Sequence, residues 1–224
     1  MIQERYRADY DGEFIIIRTT IVNGRKQQER EWIPNPIENN YISARAVVIG
    51  SGDSRNNFPI HRLQGHKGGL LGKKRLQSYG SEGCWRELQC DFYIDSTKNE
   101  QQEIIESGYH NRVSVYTNAK QCVQYPGEFY MIPYNLGFLK DSTAAMYIAA
   151  FDGHKEIYCV GVDGTDANGD YSHKSVIQVA ELMRAYKNTV FTFVNDNVNL
   201  HEEWRKCNNY RHMNYRTFVS ACDV

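Results

Sequence analysis

The apolar positions of this chain fall into two regimes. Residues 14–22 (Phe14, Ile15, Ile16 and Ile17, then Thr19, Thr20, Ile21 and Val22) are largely β-branched and run into Asn23-Gly24, a dipeptide that tolerates positive φ at both corners of a type I′ turn. A return strand follows over about residues 26–33. Pro34 and Pro36 remove backbone donors and end it, so residues 1–40 read as an accessory β-hairpin. Beyond it the pattern changes to short, near-continuous apolar runs at 46–49, 92–94, 113–116, 129–132, 157–160 and 190–194, the signature of strands buried on both faces.

Helical spacing lies between some of these runs. In 142–152, Ala145, Ile148, Ala149 and Phe151 share a broad face; in 172–187, Val176, Val179, Ala180, Met183 and Tyr186 follow the i, i+3, i+4, i+7 rule, with Gly153 and Asn188 as stops. Strand alternating with helix predicts an α/β fold: a Rossmann-like, mostly parallel sheet with helices on both faces over residues 41–200. Trp204, Tyr210, Met213 and Phe218 among polar neighbours predict a C-terminal helical tail, 201–224, packed back on that domain.

Charge and cysteine usage narrow the function classes. With 26 Lys and Arg against 27 Asp and Glu the formal net charge is −1, so no global field holds a nucleic acid, and any polyanion is bound locally. The six cysteines form no C-x-x-C pair and predict reduced thiols in a cytoplasmic protein, rather than a disulfide frame or zinc site. The first residues hold no apolar signal core, and no window approaches the roughly 18 apolar residues of a membrane span, so no membrane partner is expected.

Three places could carry chemistry. The apolar strand Val47-Val48-Ile49 runs into Gly50-Ser51-Gly52-Asp53-Ser54-Arg55, a glycine turn at a strand's carboxyl end, where open α/β sheets bind ligands and where backbone amides can meet a phosphate. It matches neither the G-x-G-x-x-G nor the P-loop pattern, and an ordinary tight turn is the plainer alternative. Residues 65–75 interleave four glycines with Lys67, Lys73, Lys74 and Arg75, a basic loop able to meet a polyphosphate or to sit simply in solvent. The strand-end carboxylates Asp95 and Asp163, with His173 downstream, could hold Mg²⁺ or act as acid and base, although Asp at strand ends is common for local hydrogen bonding alone.

The order of these motifs is more informative than any one of them. "VVIGSGDSR", "LQSYGSEGCWREL", "CDFYIDSTK" and "STAAMYIAAFDGHKEIYCVGVDG" followed by "YSHK" resembles the Rossmann-like group of bacterial sialyltransferases and archaeal-type 6-hydroxymethylpterin pyrophosphokinases, which includes uncharacterised phage proteins. The resemblance spans roughly residues 45–195. It implies a nucleotide or nucleotide sugar as substrate, held by Gly50, Gly52, Asp53 and Ser54, with further contacts from Tyr79-Gly80, Ser142-Thr143 and the Gly161-Val162-Asp163 strand end. It also implies a catalytic role for His173, and in this reading Lys73, Lys74 or Arg75 neutralise the leaving group and Asp163 orients the histidine.

Two departures stand out. The group often carries Gly-Asn-Gly where this chain has Gly50-Ser51-Gly52, and Tyr-Gly-x-Asn where it has Tyr79-Gly80-Ser81-Glu82. Both lost amides can donate and accept at once, and a carboxylate at Glu82 repels phosphate. The expected function is therefore a nucleotide-dependent transferase, with glycosyl transfer favoured over pyrophosphoryl transfer. The rival expectation is a non-catalytic nucleotide-binding or virion-associated module on the same scaffold, with an oligomer or virion partner. Glu82 turned away from the pocket favours the first, and Glu82 inside it favours the second.

Overall fold

A computed structural model describes residues 2–6, 13–34, 45–66, 76–96, 100–133, 137–166, 168–196 and 200–222. The N-terminal unit is an antiparallel sheet of β1 (Ile2–Tyr6), β2 (Glu13–Val22) and β3 (Arg25–Pro34) in that order. The long hairpin pairs Glu13 with Pro34 through to Val22 with Arg25, and its corner takes φ of 52° at Asn23 and 74° at Gly24, as a type I′ turn requires. β1 adds a third strand that the sequence pattern did not mark, because Gln3, Glu4 and Arg5 interrupt any apolar run.

After it the chain runs β4 (Arg45–Ile49), β5 (Gln77–Ser81), β6 (Phe92–Ile94), α1 (Gln101–Glu106), β7 (Ser114–Thr117), α2 (Ala119–Gln124) and β8 (Tyr130–Met131). It continues through α3 (Asp141–Phe151), β9 (Glu156–Val160), α4 (His173–Ala185), β10 (Val190–Val194), α5 (Glu202–Arg205), β11 (Tyr210–Met213) and α6 (Tyr215–Cys222). The eight strands form one parallel sheet in the order β11-β10-β9-β4-β5-β6-β7-β8. This is the Rossmann-like α/β architecture that the alternating pattern predicts.

The C-terminal segment departs from the helical tail expected of it. Tyr210–Met213 pair in parallel with β10 and form an edge of the sheet, between two helical pieces. Tyr-Arg-His-Met has little strand character of its own, and the open edge of β10 supplies the backbone partners that its composition does not advertise.

Alternation along the strands divides the core into two layers. Ala46 and Val48 of β4 face α3 and α4 together with Cys159, Phe191, Phe193 and Trp204. Val47 and Ile49 face the other way, toward Phe58, Leu63, Tyr158 and Phe218. Every residue of α3 is buried, as befits a helix covered on both sides, and Ala144, Ala145, Ala149 and Ala150 allow close approach to β4, β5 and β9. In this layer Tyr79 is fully buried, its hydroxyl bound to Asp152 (2.5 Å) and His154 (2.9 Å).

On the opposite face α6 docks against the turn that follows β4. Tyr215 stacks on Phe58 with ring centroids 5.2 Å apart, Phe218 lies 5.7 Å from the same ring, and the Tyr215 hydroxyl donates to the Ser54 carbonyl. All six cysteines are free thiols, and among the described residues no helix is long and apolar enough to cross a membrane.

Candidate functional site

Strand order decides where a crevice can open. From β4 the chain steps outward through β5, β6, β7 and β8, then returns to place β9, β10 and β11 on the other side of β4. The loops leaving β4 and β9 therefore diverge over adjacent strands, and the sheet's switch point lies between them. Gly50–Arg55 follows one of these strands and Gly161-Val162-Asp163 the other, so the structure brings together two segments that the sequence suggested separately.

The glycine turn is zipped to its neighbour. Gly50 N–H donates to the Val160 carbonyl (2.9 Å) and Gly52 N–H to the Gly161 carbonyl (2.8 Å). Ser54 donates to the Asp163 carboxylate twice, from its amide (2.8 Å) and its hydroxyl (2.5 Å). A Cβ on Gly50 would lie 2.4 Å from the Gly161 carbonyl oxygen, and one on Gly52 would lie 2.5 Å from Asp163 Oδ2. Gly52 has an ordinary extended backbone (φ −60°), whereas Gly161 is left-handed at φ 70°. These glycines thus serve contact between two strand-end loops. Asp53 is exposed, and Arg55 turns to Glu87 (2.7 Å).

Glu82 supplies the remaining acceptor. It follows β5 in a left-handed conformation (φ 52°), paired with Gly83 at φ 83°. Its Oε2 accepts from the Ser51 amide (2.9 Å) and hydroxyl (2.8 Å), while Oε1 lies 3.2 Å from Lys140 Nζ and 3.5 Å from the Ser142 hydroxyl. A carboxylate of the protein therefore occupies the donors that an incoming anion would use. Lys140, directly before α3, was not singled out in the sequence, because nothing local shows which carboxylate it meets. Tyr79, an expected ligand contact, lies instead in the core, and Gly80 makes room for Cys84 and Cys90, whose sulfurs would lie 2.5 and 2.6 Å from a Cβ there.

The acidic residues form separate clusters. Asp95 (β6 end) and Asp141 (first residue of α3) are both buried; Asp95 accepts from the Glu100 amide (3.2 Å) and Asp141 from the Ser96 amide (2.7 Å) and hydroxyl. Burial, and then the charge of Asp95, push the Asp141 carboxyl up to about 7. Asp163 stands over β9, three strand spacings from β6, or about 14 Å at ~4.8 Å each. Asp95 and Asp163 thus lie at separate places along the sheet edge, and no group of three or more candidate ligands converges among the described residues.

A niche of about 10 Å³, room for a single water, lies beside the switch point, between the first turns of α3 and α4. Ser142, Thr143, Gly161, Asp163 and Ser175 line it, with Lys140 at its mouth. His173 opens α4 but is exposed, and it lies about 200° round the helix from Ser175. Ser175, Tyr171 and His201 were not identified from the sequence; only the Ser172 cap, whose hydroxyl accepts from the Ser175 amide (3.3 Å), carries a local signal there. Lys73, Lys74 and Arg75 lie outside the described residues. No protein-family model, curated protein or solved structure matches this chain.

Proposed function

We propose that the chain binds a nucleotide at the carboxyl edge of its sheet and transfers a group from it, glycosyl transfer being favoured over pyrophosphoryl transfer. The observation that carries this reading is the meeting of the Gly50–Arg55 turn and the Gly161-Val162-Asp163 segment at the switch point between β4 and β9, where open α/β sheets bind ligands. Pyrophosphoryl transfer calls for Mg²⁺ between phosphates, and each carboxylate that would hold it is already engaged, Asp95 by the Glu100 amide and Asp163 by Ser54. In this reading Asp163, at the switch point, takes the proton from an acceptor hydroxyl, in place of the exposed His173.

Glu82 favours a second reading, a binding module without chemistry. Its carboxylate already holds Ser51 and Lys140, so a phosphate must displace it. A thermal-shift panel of nucleoside mono-, di- and triphosphates and nucleotide sugars, with and without Mg²⁺, tests the binding common to both readings. A ligand at 100 times its Kd adds ~2.7 kcal/mol of stability. A panel flat to millimolar concentration rejects nucleotide binding. Release of free nucleotide from a bound nucleotide sugar supports transfer, and binding without any release favours the module.

A further inference from the structure

The chain contains two Asn-Gly dipeptides, Asn23-Gly24 and Asn168-Gly169. Both asparagines are exposed, both glycines are left-handed (φ 74° and 88°), and a Cβ on either glycine would meet nothing within 4 Å. An asparagine in this setting can react with its own main chain. The nitrogen of the following amide attacks the side-chain carbonyl carbon; the new C–N bond forms as the bond to Nδ2 breaks, ammonia leaves and a succinimide ring closes. Water then adds to either ring carbonyl and opens it to aspartate or, with the main chain rerouted through the side chain, to isoaspartate. Glycine obstructs the attack least, because it brings no side chain and leaves the peptide plane free to rotate.

Bonding and charge set the two sites apart. At 168 the attacking group is engaged: Gly169 N–H donates to the Asp166 carbonyl (3.1 Å), while the amides of Asn168 (2.8 Å) and Asp170 (3.2 Å) donate to the Asp166 carboxylate. The Asp166 amide closes the loop onto the Asp170 carbonyl (2.7 Å), and Thr165 and Tyr171 bridge across its base. Ring closure there must break bonds of this set. Asp166 and Asp170 also oppose loss of the amide proton and the negative charge that develops on the attacked carbonyl oxygen. Asn23 stands at a hairpin corner beyond the last strand pair, Val22 with Arg25. Its chain neighbours Arg25 and Lys26 are exposed cations, which favour that same developing charge.

We propose that Asn23 is a site of spontaneous deamidation through a succinimide, and that the fold protects the identical dipeptide at 168. The isoaspartyl product adds a methylene to the main chain at a corner built for two residues, so modified chains lose the Val22–Arg25 closure and the register it sets. Aspartate at 23 leaves the turn intact, since Asp-Gly suits the same type I′ geometry.

Incubation of the full chain in mildly alkaline buffer, followed by tryptic digestion and mass spectrometry, reads the two sites in separate peptides, 19–25 and 156–174. In the folded chain Asn23 should convert about tenfold faster than Asn168 or more, the factor set by one or two hydrogen bonds that the slower site must break. Its product should appear as two chromatographic species of equal mass, aspartyl and isoaspartyl. In guanidinium chloride, which unfolds both loops and screens their charges, the two rates should come together. Asp166→Ala removes the acceptor of two of these bonds and should speed conversion at 168 by about threefold or more at unchanged melting temperature. Equal rates in the folded chain, or faster conversion at Asn168, overturn the proposal. A difference as large in guanidinium chloride, or an unaltered rate at 168 in folded Asp166→Ala, overturns the protection assigned to the fold.

Discussion

Replacing Gly50 by alanine distinguishes the two reasons for a glycine at the end of β4. The added Cβ would sit 2.4 Å from the Gly161 carbonyl oxygen and 2.9 Å from Ser142 Cβ, where ordinary contact begins at 3.4 Å, so the strand ends must part by about 1 Å. Neither neighbour yields easily: Gly161 is held at φ 70°, and Ser142 belongs to the fully buried α3. Overpacking of this kind costs ~1–3 kcal/mol. The same displacement stretches the Gly50–Val160 (2.9 Å) and Gly52–Gly161 (2.8 Å) hydrogen bonds, which bring ~1 kcal/mol more at risk. The expected loss is ~2–4 kcal/mol in the ligand-free protein, which at ~2–4 °C per kcal/mol lowers Tm by about 5–15 °C. Urea unfolding followed by far-UV circular dichroism reads this as a lower midpoint at unchanged slope. Stability within ~0.5 kcal/mol of the parent, combined with lost ligand binding, would refute the packing role and restore the glycine to ligand access.

Two further outcomes follow from the carboxylates. The Asp141 carboxyl is raised to about 7 in the folded chain, chiefly by burial and then by Asp95, with Glu82 adding to the shift and the Ser96 hydrogen bonds opposing it. Its folded value lies above its unfolded one, so its contribution is complete below about pH 4 and is lost as pH rises through 7. Asp141→Asn keeps an acceptor for Ser96 and has no proton to lose, so its Tm relative to the parent should climb between about pH 4 and 7 and level off above; parallel profiles would reject the assignment. Glu82→Ala should cost about 3 kcal/mol, because Lys140 and its partner are each only 12% exposed and the Ser51 donors lose their acceptor. It should also strengthen binding of inorganic pyrophosphate by freeing Ser51 and Lys140, and unchanged or weaker binding, measured by calorimetry, would show that Glu82 does not occupy an anion's place.

What the sequence made legible depended on how each element is stabilised. β4, β9 and β10 are buried on both faces by apolar side chains, and their runs mark them at once. β5 is equally buried, yet reads Gln-Ser-Tyr-Gly-Ser, because its polar groups are satisfied from afar: Ser78 by Asp91 (2.8 Å) and Ser81 by the Ile49 carbonyl (2.9 Å). The six-residue helices α1 and α2 are too short to establish a period. At the site, strand-to-turn patterns located the carboxyl edge correctly. Which groups face one another there is tertiary information, so the pairing of Glu82 with Lys140 could not be read from spacing.

The docking of α6 bears on how stability is distributed over the molecule. Ser54, whose amide and hydroxyl hold Asp163, lies on a turn whose carbonyl is bound by Tyr215, 161 residues further along the chain. That contact lies outside the strand ladder of β4 and β9, so the turn depends on α6 as well as on the sheet. The sheet can therefore be largely assembled while the crevice is not. Perturbing α6, by truncation or by a bulky C-terminal fusion, should reach ligand binding before secondary structure, an ordering that hydrogen exchange at Ser54 and Gly161 against the amides of β4 and β9 would resolve.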